Sequence, residues 1–159
     1  MDKRICLTKQ KKERTTNKEL PRLTTGEYLN YIESFFIENP KLDKQIIKNM
    51  ESEIKKKINA YKLQDVRKKR YNTESFITLE ETYDKLLVSK LGCYYCKCNT
   101  TIFYTHVRQE NQWTLERLDN NYGHSNDNTV IACLDCNLKR CTKSSKDFKF
   151  AKQLTIKKI

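Results

Sequence analysis

The chain has 159 residues, 37% of them hydrophobic and 33% charged, with three Gly and two Pro, so it is one domain or one domain with an appendage around a small core. No apolar run approaches the ~20 residues of a membrane span, and the opening MDKRICLTKQKKER lacks the apolar centre of a secretory signal. The net charge of +12 is uneven: residues 1–23, 55–70 and 139–159 hold 24 of the 32 Lys and Arg but five of the 20 Asp and Glu, which points to a polyanionic partner, most simply nucleic acid.

Residues 1–23 are basic and polar without apolar periodicity and read as a flexible arm. A first helix is predicted from Thr24 to Pro40. Thr24 or Thr25 caps it, Tyr28, Leu29, Ile32, Phe35 and Phe36 form its apolar stripe, and Pro40 stops it. Residues 41–71 read as one long helix or two in tandem. Ile47, Met50, Ile54, Ile58, Tyr61 and Asp65/Val66 trace one face, and Lys55, Lys56, Lys57, Lys62 and the run Arg67, Lys68, Lys69, Arg70 cover much of the rest. The narrow face suits pairing with the first helix, and the basic cover suits a phosphate backbone.

Thr78 and Glu81 have capping-box spacing and open a third helix with Leu79, Tyr83, Leu86, Leu87 and Leu91 on its apolar side and Gly92 as its C′ residue. Residues 101–109 and 112–118 are rich in β-formers, so a hairpin is expected with Glu110-Asn111 at its turn. Residues 119–128 are turn-rich, TVIAC is a short apolar run, and helices are expected from Cys136 and from Asp147.

Two C-x-x-C pairs, Cys93/Cys96 and Cys133/Cys136, are separated by 36 residues. Each pair can turn two sulfurs inward from one tight knuckle, and two knuckles complete a tetrahedral four-thiolate zinc site. Seven cysteines without a secretory signal fit metal binding in a reducing, intracellular compartment better than disulfides. Cys98 and Cys141 fall outside the simple pattern and read as free thiols, with Cys98 an alternative ligand. The expected class is α+β, mostly helical: a basic arm over residues 1–23, a helical basic extension over 24–77, and a zinc-stapled ββα unit over 78–159.

The ordered string CYYC, LERLDNNYGHSNDN and CLDCNLKR resembles the HNH, or ββα-metal, endonucleases, most closely the zinc-knuckle members carried by phages and large DNA viruses. The resemblance covers residues 78–154. It implies metal-dependent hydrolysis of phosphodiester bonds in double-stranded DNA, with structural Zn2+ and a second divalent cation, Mg2+ or another, at the catalytic site. Glu116 matches the acidic ligand of that cation and Asn137 its ligand on the helix. Asn128 matches the residue that ties the loop together by backbone hydrogen bonds. Arg117 stands where most members carry the catalytic His; an Arg is a poor base but a good phosphate clamp. His106, His124 and Asp119 are the candidates for activating water. Lys139, Arg140, Lys143, Arg117 and Arg67–Arg70 are the expected phosphate contacts. Trp113 and Tyr104 could stack on bases or pack in the core.

Two other classes fit the same residues. One is a zinc-knuckle nucleic-acid-binding protein without catalysis, and the other is a protein-interaction zinc module with basic tails. The helical extension could set target preference, hold a protein partner or form a homodimer.

Overall fold

The computed structural model describes residues 20–154; most of the expected basic arm, with Cys6, and the last five residues lie outside them. The described residues form five helices and one two-stranded antiparallel sheet, an α+β arrangement: α1 (Thr25–Glu33), α2 (Lys44–Arg67), α3 (Leu79–Val88), β1 (Trp113–Arg117), β2 (Thr129–Cys133), α4 (Leu134–Arg140) and α5 (Ser145–Gln153). None of these helices is long and apolar enough to cross a membrane.

Helix α1 starts where expected. The Thr24 hydroxyl accepts from Glu27 N at 3.3 Å, and Glu27 Oε2 accepts from Thr24 N at 2.7 Å, so two orphan donors are satisfied reciprocally. It ends at Glu33, well before Pro40. Phe35 N bonds back to Ile32 O and Phe36 N to Glu33 O, tightening the last turn. That turn sends Phe35 onto α3, where its ring stacks on Tyr83 with centroids 4.1 Å apart.

Helix α2 is a single element capped by Asp43, whose carboxylate accepts from Gln45 N at 2.7 Å. Met50, Ile54 and Ile58 are buried along it, and the face then continues through Tyr61 to Asp65 rather than Val66, which is exposed. Helix α3 carries the expected Thr78–Glu81 box. Its C-terminus differs from expectation. Lys90 and Leu91 take the left-handed conformation, at φ 50° and 57°, and Gly92 does not. Leu91 N reaches back to Leu86 O at 3.1 Å, so the closure falls within the chain before Gly92.

The hairpin is not the one expected. Residues 101–109 form no strand; Thr101 makes only an isolated bridge to Gln112. Ile102 and Phe103 are both buried, which breaks the alternation a half-buried strand needs. The strand pair is instead β1 with β2, from Trp113 opposite Cys133 to Arg117 opposite Thr129. Glu116 therefore lies on the first strand, and residues 118–128 form the connection. The ββα order survives with its first strand reassigned.

A two-stranded sheet is marginal by itself, and here α2 covers its open edge. Lys57 Nζ donates to Trp113 O, Tyr61 OH accepts from Leu115 N at 3.2 Å, and Asp65 lies 3.9 Å from the Arg117 guanidinium. Four-residue steps on a helix rise about 6 Å and two-residue steps on a strand about 6.6 Å, so the two ladders keep pace. The ladder also hides the backbone groups an edge strand would offer to another chain. Ile32, Ile54, Ile58, Leu86, Trp113, Leu115 and Ile131 share one core, so the helical extension and the ββα unit pack as partners. Trp113 is fully buried in it, which settles its role as packing, and Tyr104 is half-buried under the Lys57 ammonium.

Tyr61→Phe leaves the buried Leu115 N–H without its acceptor. Urea unfolding should register a loss of about 1–3 kcal/mol with an unchanged slope.

Candidate metal centre and strand–helix site

The first knuckle follows α3. Cys93 N donates to Cys98 O at 2.9 Å and Lys97 N to Cys93 O at 3.0 Å, with Lys97 in the left-handed region at φ 63°. Tyr94 N donates to Ile131 O at 2.8 Å and pins the knuckle to β2. The second knuckle is the β2–α4 junction itself. Cys133 ends the strand and caps the helix, its sulfur accepting from Cys136 N at 3.4 Å. The four Sγ atoms of Cys93, Cys96, Cys133 and Cys136 lie within 4.8 Å of one another, and all but the half-buried Cys96 are buried. Four convergent sulfurs can hold a metal ion such as zinc. Without a cation the thiols compete. The Cys133 thiol beside Cys93, helped by backbone N–H groups, draws Cys93 down to about 4, and Cys93 in turn pushes Cys133 up. Burial raises Cys136 to about 12. Ionising all four sulfurs needs a central positive charge. Cys98 and Cys141 are exposed and are not among the four, although the Cys98 thiol lies against Cys96 and Cys133, where burial raises it to about 11. Tyr95 backs the cluster, edge-on to Phe148 of α5 and hydrogen-bonded to Ser145 Oγ at 3.1 Å.

On β1, Thr114 and Glu116 share the face toward α4, and Leu115 and Arg117 take the other. Thr114 Oγ1 donates to Ala132 O at 2.8 Å and accepts from Asn137 Nδ2 at 3.3 Å. One turn further along α4, Arg140 Nε donates to Glu116 Oε1. Arg140 is only 2% exposed, and its other donors go to Lys143 O at 2.7 Å, Arg117 O at 2.7 Å and Asn120 Oδ1 at 2.9 Å. The expectation that Arg140 contacts phosphate is therefore corrected: every arm of its guanidinium is spent inside the protein. Burial raises the Glu116 carboxyl above its usual range, and Arg140 opposes the rise. Among the described residues, Glu116 Oε2 and Asn137 Oδ1 accept no hydrogen bond. Neither is sealed in, because Trp113 Nε1 is the one buried side-chain polar atom there without a partner. Glu116 on β1 and Asn137 on α4 are thus not completely sealed, although the Glu116 side chain is only 7% exposed.

The loop is held as expected by Asn128. Its Oδ1 accepts from Asp119 N at 2.9 Å, and its Nδ2 donates to Asp119 O and Gly123 O, both at 2.9 Å. Arg117 departs from expectation. It is buried on the opposite face from Glu116, with Nη1 donating to Tyr122 O at 3.0 Å, so it braces the loop and offers no surface clamp for phosphate. His124 departs too. Its backbone N donates to Asp65 Oδ2 at 2.6 Å, its Nδ1 lies 2.9 Å from Asp65 Oδ1, and its ring packs on Tyr61 at 4.6 Å. Burial lowers the imidazole below its ordinary range despite the pull of Asp65. It is a buried strut, not a base facing solvent. Asp119 is exposed and accepts from Asn121 N at 2.8 Å. His106 is exposed in the segment that forms no strand.

Of the basic residues, Arg67, Lys68, Lys69, Lys139 and Lys143 are exposed and Arg70 is half-buried. Lys139 pairs with Asp135 at 2.8 Å on its own helix. Asp65, 0% exposed, is the residue that sequence reasoning undervalued. Its signal was a carboxylate one helical turn beyond Tyr61 on an otherwise apolar stripe. Lys57 was read as solvated cover, yet burial lowers its ammonium to about 7.

No protein-family model, curated protein or solved structure matches this chain.

Cys93→Ser or Cys136→Ser should lose the near-native circular dichroism of the C-terminal half, because metal binding adds to folding free energy. A variant that keeps both its spectrum and its thermal midpoint would contradict the four-thiol set. A second expectation concerns pH. Native His124 resists protonation more than the unfolded chain does, so its contribution is full above about 6.5 and declines as pH falls from there through the lower native value. Urea midpoints measured across that window should fall in the native chain, and more weakly in His124→Asn.

Proposed function

We propose that this chain is a metal-dependent endonuclease of the HNH type that hydrolyses phosphodiester bonds in DNA at the face between β1 and α4. The observation that supports it is the way α4 meets β1: Asn137 bonds to Thr114 and Arg140 to Glu116, which leaves Glu116 Oε2 and Asn137 Oδ1 without a hydrogen bond on neighbouring elements. A carboxylate and an amide oxygen are donors of the kind a hard divalent cation such as Mg2+ takes. Bound there, such a cation would stabilise charge building on the scissile phosphate and its leaving oxygen.

The remaining roles fall to residues of the chain. Arg140 fixes Glu116 by one oxygen and leaves the other without a hydrogen bond. Asn128 holds the loop in register with the strand, as the middle residue of the HNH pattern would. Asp119 is the exposed carboxylate on that loop and takes the water-activating role, since Arg117 and His124 are both committed to internal bonds. Lys143, Lys139 and the exposed cations after α2 supply phosphate affinity without sequence reading. The four-thiol cluster holds zinc and thereby the β2–α4 junction.

The Arg140–Glu116 pair favours a second reading. A guanidinium already neutralises the carboxylate, as suits a zinc-knuckle nucleic-acid-binding module without catalysis. Plasmid cleavage in magnesium, manganese and nickel separates the two. The nuclease reading expects metal-dependent nicking or cutting that falls on the order of 10²-fold or more in Glu116→Ala and in Asn137→Ala. Salt-sensitive DNA binding with no cleavage in any of the three metals would establish the second reading.

A further inference from the structure

Between the segment that follows α2 and the loop after β1 lies a groove of about 620 Å³, lined by Lys69, Arg70, Phe76, Asn121, Tyr122 and Asp127 among others. That volume is within the range of small-molecule sites and ample for one nucleotide. Both walls are pinned before any ligand arrives. Arg70 N donates to Asp65 O at 2.8 Å, and His124 N to Asp65 Oδ2 at 2.6 Å, so one buried carboxylate residue holds each wall. Ile77 N donates to His124 O at 2.8 Å, and Phe76 bridges to Ser125. Gly123 allows the closest approach: a Cβ there would stand 2.5 Å from Arg70 O. Lys69, at φ 55°, turns the chain sharply at the end of α2 and brings two cations to the rim.

The contents of the groove are chemically mixed in a particular way. Tyr122 is 67% exposed, while its carbonyl is held by Arg117. A rigid backbone with a free aromatic ring is a stacking platform. Lys69 and Arg70 are fit for a phosphate. Asn121 offers an amide, and Asp119 and Asp127 offer carboxylates, to the donors and acceptors on a base edge. A base inside a duplex presents neither its ring face nor its pairing edge to a concave site, whereas an unpaired base presents both.

We infer that this groove binds one unpaired nucleotide of a DNA strand, with its base stacked on Tyr122 and its phosphate on Lys69 and Arg70. The inference rests on the DNA-directed reading above and narrows its substrate class to strands that are single, looped or bulged beside the site. Arg117 then acts as a positioning residue for Tyr122.

The test is direct binding in calcium, with zinc left in place, so that the outcome does not depend on whether magnesium supports cleavage. The probes are a short duplex with one extrahelical base, the same duplex fully paired, and a free nucleoside monophosphate as competitor. The bulged duplex should bind about tenfold more tightly than the paired one, the scale of a single base–aromatic stack. Tyr122→Ala should abolish that preference and leave affinity for the paired duplex unchanged, while Tyr122→Phe keeps it. Equal affinity of the native chain for the two duplexes would overturn the inference. So would a preference that survives Tyr122→Ala, or one that the mononucleotide in large excess does not reduce. A preserved preference in a chain that cleaves nothing would retain the groove and reject the nuclease.

Discussion

The convergence of four sulfurs governs the C-terminal half. Cys93 and Cys96 arrive from the end of α3, and Cys133 and Cys136 straddle the point where β2 becomes α4. With so few apolar residues, a metal ion held by these sulfurs would close a long loop and do what a larger core otherwise does. The consequence for function is angular. Clamping the strand-to-helix corner fixes which side of α4 meets β1, and so brings Asn137 and Arg140 onto Thr114 and Glu116.

A second constraint comes from the other end of the molecule. Asp65 is wholly buried and is engaged by His124 twice, with Arg117 beside it. A buried carboxylate is costly unless its partners are in place, so the loop and α2 are bound to adopt one relation. The same helix seals the edge of β1 through Lys57 and Tyr61. What looked in sequence like an appendage carrying positive charge is the scaffold that shapes the loop. The groove along that seam belongs to neither half alone.

Local signals were legible in the sequence and long-range ones were not. Thr24–Glu27 and Thr78–Glu81 announce their helices because a capping box is satisfied within four residues. The C-x-x-C pairs announce their cluster because metal geometry limits what such spacing can do. The strand pairing was misread because residues 101–109 have β-formers without alternation, and composition cannot tell Ile102 and Phe103 side by side in a core from a strand. Glu116, Asn137 and Asn128 were named from the ordered motif, and they stand on β1, on α4 and in the connection between the strands. Arg140, Arg117 and His124 were misjudged for one shared reason. A charged or polar side chain looks solvent-facing until its buried partner is known, and Glu116, Tyr122 O and Asp65 are distant in sequence or hidden in the backbone.

The clamp itself is open to one direct measurement. Cobalt(II) exchanged into the purified full-length chain reports ligand type and geometry through its absorption spectrum. The account predicts one tightly held ion per chain with the intense sulfur-to-metal bands and tetrahedral visible bands of four-thiolate coordination. A folded chain that takes up no thiophilic ion, or one whose cobalt spectrum is that of oxygen ligands in octahedral geometry, would contradict it.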